Sequence, residues 1–153
     1  MKKDWLFQDE ETVCNVRVAG VLLRDGKLLV QRDKNGAEYA LPGGHVQMGE
    51  ETKDALKREI YEETGARITA KRLLWTEECF WKWGKRQAHT FTFYYQMEGD
   101  IPDTGFAPQR DNENVVYGYL ALEDLKEQTV YPAFIKQEIF VLQDAPKHFV
   151  TRD

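Results

Sequence analysis

Soft metal ligands are scarce in this chain, which has 2 cysteines and 3 histidines. Cys14 and Cys79 stand far apart and outside any metal-ligand spacing, which argues against a disulfide scaffold or a zinc site and leaves two buried, reduced thiols as the expectation. Long apolar runs are missing as well. Lys2 and Lys3 open the chain, but Gln8-Asp9-Glu10-Glu11 arrives before any apolar stretch, so neither a secretory signal nor a membrane span is expected, and the expected location is cytoplasmic. No repeat, low-complexity tract or Pro/Gly/Ser-rich linker interrupts the sequence, so residues 1–153 read as a single domain. At 153 residues with 42% hydrophobic side chains it can bury a real core. An excess of cations is also absent. The net charge of -5 disfavours nucleic acid as a partner, whereas a small phosphorylated ligand can be held through bound metal in spite of that sign.

What is present is a mixed α+β pattern. Cys14 to Leu23 is rich in branched residues, Asp25-Gly26 is a turn signal, and Lys27 to Arg32 completes an expected hairpin. Tyr39-Ala40-Leu41 reads as a short strand stopping at a Pro42-Gly43-Gly44 turn, whose glycines permit backbone angles that other residues avoid. From Glu51 or Thr52 to Thr64 the residues are helix formers, with Ala55, Leu56 and Ile60 as an apolar stripe and Gly65 where a helix ends. Arg67 to Phe80 and Gln87 to Met97 read as strands joined across Trp81 to Lys85, and Asp100 to Asn114 as a polar loop. A strand at Val115 to Leu120, a helical turn at Leu122 to Lys126 and a helix from Ala133 to Leu142 follow.

The sharpest feature lies between Gly44 and Ala66, GHVQMGEETKDALKREIYEETGA. On a helix, Glu59, Glu62 and Glu63 fall at i, i+3 and i+4 and share one face. There they repel one another and raise each other's pKa unless a cation compensates. A hard dication with oxygen ligands is the natural partner; Mg²⁺ suits it, and Mn²⁺ is a substitute. A turn of bare glycine backbone lets a carbonyl approach the same ion.

The order Gly44, Glu50, Arg58-Glu59, Glu62-Glu63, Gly65 resembles the box of the Nudix hydrolases, and seven fixed residues in register have a chance probability of about one in a million. Ala66 departs from the larger aliphatic residue usual there, and Ile68 is expected to supply that packing. The resemblance implies an α/β/α sandwich around a central mixed β-sheet. It implies metal-dependent hydrolysis of a nucleoside diphosphate linked to a group X, in the MutT-like case a nucleoside triphosphate giving monophosphate and pyrophosphate. ADP-ribose or another sugar nucleotide is the alternative, and a non-catalytic nucleotide-binding domain of the same fold is the other. By the same resemblance Gly43 contributes its carbonyl to the metal with Glu59, Glu62, Glu63 and, more loosely, Glu113. Glu59 is ligand or water-activating base, and Arg58, paired with Glu50, orients it. A homodimer is among the assemblies the resemblance allows.

Outside the box, Trp81 and Trp83 fall on one side of a strand and, with Arg86, form a candidate wall on which a base stacks; core or dimer-interface packing is the alternative. Tyr117, Tyr119 and His89 read as structural, the last as a hydrogen-bonded strand histidine, and His45 as exposed.

Overall fold

Val18, Ala19, Val21, Leu28, Leu29 and Val30 are all buried, and strands that bury successive side chains must be covered on both faces. The computed structural model describes residues 3–152; Met1, Lys2 and Asp153, included in the expected single domain, lie outside the described residues. In chain order the strands are β1 (Leu6–Gln8), β2 (Thr12–Val21), β3 (Leu23–Arg24), β4 (Lys27–Asp33), β5 (Glu38–Ala40), β6 (Gly43–His45), β7 (Thr69–Trp83), β8 (Arg86–Glu98), β9 (Ala107–Pro108), β10 (Val115–Ala121), β11 (Thr129–Tyr131) and β12 (Lys147–Arg152). Helix α1 (Thr52–Thr64) follows β6, and α2 (Ile135–Glu138) precedes β12.

The fold is the expected α+β arrangement, with its β layer built as two six-stranded sheets. One runs β1-β2-β8-β7-β12 with β6 paired to β2; the other runs β11-β5-β4-β10-β9 with β3 paired to β4. Both are mixed. β2 lies parallel to β8, and β11 parallel to β5, while β7 and β8 form a long antiparallel hairpin. On one side Ala55, Leu56 and Ile60 of α1 pack on Val18, Tyr95 and Met97 of the first sheet and on Leu29 and Tyr119 of the second. On the other side Ala19, Val21, Tyr94, Leu28 and Val30 meet Ile135 of α2 and Leu125 of a 3-10 turn (Leu122–Glu127). The helix bearing the box therefore rests on both sheets at once. Ile68 is buried in the α1 core, where the small Ala66 leaves room. Among the described residues no helix is long and apolar enough to cross a membrane.

Several expectations change. Only Leu23 and Arg24 form the Asp25-Gly26 hairpin, pairing with Leu28 and Lys27; from Thr12 to Val21 the chain belongs to the other sheet, because it changes sheets at Leu22. Gly43 and Gly44 form an edge strand on β2 and neither has a positive φ, so glycine is needed there for space and not for unusual backbone angles. The last helix has four residues, and the chain beyond it returns as β12 beside β7. Asp100 to Asn114 is not wholly loop, since β9 pairs with β10. Cys14 is exposed and Cys79 half-buried, not both buried. His89 stacks on Phe80 at 4.1 Å with its Nε2 buried and lacking a hydrogen bond. His45 is half-buried, not exposed.

Candidate active site

The apolar stripe of α1 presses into the core, and Gly65, in the left-handed conformation at φ 78°, closes the helix by donating its N–H to Tyr61 O. That orientation turns Glu59 and Glu63 toward β6 and toward the loop before β10, where Arg110 N donates to Glu63 O at 2.8 Å. Two glycines make the approach possible. A Cβ on Gly44 would fall inside the Glu59 carboxylate, 2.6 Å from its Oε1, and one on Gly43 would strike the Val18 carbonyl and sit 2.7 Å from Ala19 Cα.

Arg58 is the knot of the site. Its Nε and Nη2 donate to the two oxygens of Glu50 at 2.8 and 3.1 Å, and Nη2 also donates to His45 O at 3.0 Å. Nη1 donates to Glu59 at 2.9 Å and reaches Glu62 at 3.3 Å. A planar fork of fixed charge suits this multiple task, which lysine could not perform. The hydrogen bond to Glu50, outweighing partial burial, raises the Arg58 pKa still further, so the guanidinium stays charged. Glu50 itself accepts from Gln47 N at 3.0 Å, which anchors the pair to the loop.

Glu63 is 3% exposed. Burial first, then the neighbouring charges of Glu59 and Asp111, push its carboxyl up to about 9, and hydrogen bonding with Glu59 adds to the effect. Burial likewise raises Glu59, against the pull of Arg58. Burial and mutual repulsion thus hold both carboxyls above the usual carboxylate range, as like charges at close range must. Gln109 Nε2 donates to Glu63 Oε2 at 3.2 Å and to Gln31 Oε1 at 2.7 Å, joining the site to the second sheet.

On its other flank a hydrogen-bonded chain leads away from the box loop. Asn15 Nδ2 donates to His45 Nε2 at 3.0 Å, Thr90 Oγ1 to Asn15 Oδ1 at 2.6 Å, and Trp81 Nε1 to Thr90 Oγ1 at 2.9 Å. Burial, and then Arg17, depress the His45 pKa. Trp81 and Trp83 do share a side, stacked at 5.4 Å, with the Arg86 guanidinium 5.8 Å from the Trp83 ring centroid. Trp83 is exposed near the hairpin tip and further out than Trp81. Glu113 is exposed, and Asp111 is the acid of that segment whose charge reaches Glu63. Gln109 and Asn15 escaped the sequence reading because no local pattern marks a glutamine or asparagine that meets its partner across the fold.

The profile of the NUDIX domain matches residues 15–138. The chain belongs to the Nudix hydrolase family. A MutT-like protein of Streptomyces ambofaciens is 42% identical over 55 residues, covering 35% of this chain and 36% of that protein. An ADP-ribose pyrophosphatase of Methanocaldococcus jannaschii is 44% identical over 62 residues, covering 39% and 37%. The chain thus matches little more than a third of the length of these curated relatives. Among solved structures, the MutT Nudix hydrolase of Burkholderia pseudomallei superposes with a TM-score of 0.59 at 25% identity, over 82% of this chain and 96% of that one. The MutT protein of Bacillus halodurans, at 18% identity and TM-score 0.61 over 89% and 90% of the two chains, shares the fold.

Nudix hydrolases generally use divalent metal ions, and the donor set here fits one: the nearby groups are hard oxygens, and the crowding that raises Glu59 and Glu63 is what a dication would relieve. Among the described residues no three His, Cys, Asp or Glu side chains already form a cation cage. Arg58 accounts for that, since it draws Glu59 and Glu62 to itself.

Proposed function

We propose that this Nudix chain, acting as one domain, hydrolyses a phosphoanhydride bond in a nucleoside diphosphate linked to X, with Mg²⁺ as its ion and Mn²⁺ as a working substitute. A nucleoside triphosphate giving monophosphate and pyrophosphate is the leading substrate class. The supporting observation is the Glu59–Glu63 pair, a half-buried and a buried carboxyl both raised in pKa, at the end of an arginine clamp. Glu59, Glu62 and Glu63, with the Gly43 carbonyl, would hold the ion, and we rank Asp111 before Glu113 as the additional acid. An ion held there would supply neutralising charge for the phosphate oxygens and activation for the attacking water. Glu59, fixed by Arg58 and through it by Glu50, accepts the proton of the attacking water. A cavity of ≈ 540 Å³ lined by Gln31, Arg32, Tyr39 and Tyr131, among others, is large enough for a nucleoside. Gln31 ties it to Gln109 and so to Glu63.

The Trp81–Trp83 stack favours a second reading, ADP-ribose or another sugar nucleotide, because a second organic group would have an aromatic wall on the opposite flank. Trp83→Ala is then expected to raise KM several-fold for ADP-ribose, leaving turnover nearly unchanged, as loss of uniform binding does, and to leave KM for a triphosphate within about twofold. A panel of nucleoside triphosphates and sugar nucleotides, with phosphate, pyrophosphate and nucleotide products separated by chromatography, tests both readings. No product from any substrate with Mg²⁺ or Mn²⁺ would leave the non-catalytic binding domain. Cation uptake itself carries a further expectation. Because Glu63 holds its proton up to about 9, calorimetry in buffers of different ionisation heat should show about one proton released per Mg²⁺, and affinity rising about tenfold per pH unit between 6 and 8. Affinity independent of pH would remove Glu63 from the ligand set.

A further inference from the structure

Arg17 stands on β2 at the edge of the site, and its situation differs from that of the other partly buried arginines. Arg24, Arg32, Arg58, Arg72 and Arg86 each donate a hydrogen bond. Arg17 is also half-buried, yet among the described residues its side chain has no hydrogen bond, ion pair or ring contact. A guanidinium drawn out of water without a partner costs free energy that folding does not recover. Its neighbours in the sheet explain why none is supplied. His45 faces it across β6, and Thr92 on β8. Glu77, one strand further, is buried with both oxygens already taken, by Tyr94 Oη and Thr151 Oγ1 at 2.7 Å each. Arg17 instead stands in register with His45, whose carbonyl accepts from Arg58, and its charge reaches Glu59 and Glu63, so it stands beside the carboxylates on the box-loop side.

We propose that Arg17 is a substrate-binding residue that takes a phosphate group of the diphosphate, on the side of the carboxylates that leads to Asn15 and Trp81. This rests on the reading of the site as a diphosphate hydrolase. The chemistry matches: an unpaired fork of donors binds phosphate oxygens in pairs, and Asn15 and His45 are committed to each other, which leaves Arg17 as the uncommitted cation there among the described residues. An anion arriving there supplies the missing partner and separates the substrate's charge from the carboxylates. Binding and preorganisation are thus coupled at a single side chain.

The test uses Mg²⁺-pyrophosphate as the probe, its dissociation constant measured by calorimetry for wild type, Arg17→Gln and Arg17→Lys, beside steady-state kinetics on whichever nucleotide the wild type cleaves. A charge-assisted hydrogen bond of ordinary strength corresponds to a loss of about ten- to a hundredfold. Arg17→Gln should therefore weaken pyrophosphate binding and lower kcat/KM by at least about tenfold, with Arg17→Lys between it and wild type, and with a melting temperature for Arg17→Gln equal to or above that of wild type. Wild-type pyrophosphate affinity in Arg17→Gln, or a loss matched by unfolding in both variants, overturns the assignment while leaving the hydrolase reading intact. A wild-type chain that cleaves nothing and takes up no pyrophosphate overturns both.

Discussion

Glu63→Gln is expected to lower turnover roughly a thousandfold at saturating Mg²⁺ and, in the same protein without metal, to raise the melting temperature at pH 8. The first effect follows from removing a carboxylate from the ion's ligand set, where the charge stabilisation lost is about 4 kcal/mol, each 1.36 kcal/mol being tenfold in rate. The second follows from linkage. Glu63 is raised from an ordinary 4.5 to about 9 in the folded chain, so between those values the native state holds a proton that the unfolded chain has released. Stability then falls as pH rises through that window. A glutamine of the same shape keeps the hydrogen bond from Gln109 to its oxygen and has no proton to lose. A gain of at least about 3 °C at pH 8 and little change at pH 4 is expected, about 3 °C corresponding to about 1 kcal/mol in a chain of this size. Mg²⁺ should reverse the order, stabilising wild type and not the variant. Full activity in the variant would remove Glu63 from the chemistry, and a pH-independent stability difference would refute the raised Glu63 pKa.

Gly43→Ala and Gly44→Ala, adjacent and alike in the sequence, should fail in different ways. At Gly43 the new methyl meets the Val18 carbonyl and the Ala19 backbone. That backbone is the middle of β2, hydrogen-bonded to β8 on its far side, and it cannot yield. Destabilisation of about 3 kcal/mol or more is expected, the upper end of overpacking costs, with loss of soluble protein at 37 °C. At Gly44 the methyl meets only the Glu59 carboxylate, the far end of a side chain. The fold should survive with a melting temperature close to wild type, while Glu59 is displaced and turnover falls about a hundredfold. Circular dichroism melts beside a product assay distinguish the two. Equal losses of stability would place the Gly44 clash in the backbone as well.

The contrast also shows what the sequence makes legible. Helix α1 could be bounded within a residue because its apolar positions repeat at the helical period and Gly65 stops it. The Glu50–Arg58 pairing was readable because the motif keeps both at fixed places. Strand partners were not. Alternation in Thr12 to Val21 is compatible with any neighbour, and nothing local tells β2 to lie beside β8 while Leu23 joins β4. Ala133 to Leu142 carries helix formers, but Phe140 and Val141 end up exposed, since the chain must turn back for Lys147–Arg152 to pair with β7. Gln109 and Arg17 gain their meaning only from groups brought near by folding. The role of Gly43 and Gly44 was half readable: glycine was plainly needed, but the reason is crowding.

Because α1 lies across the seam between the sheets, the distance separating the carboxylates from the Tyr39–Tyr131 cavity is set by how those two layers are seated on each other. Leu29 and Tyr119 touch no phosphate in any reading of the site, yet they support the underside of α1. Shaving either one would let the platform tilt, so the ion's grip would loosen at temperatures where the rest of the molecule is still intact.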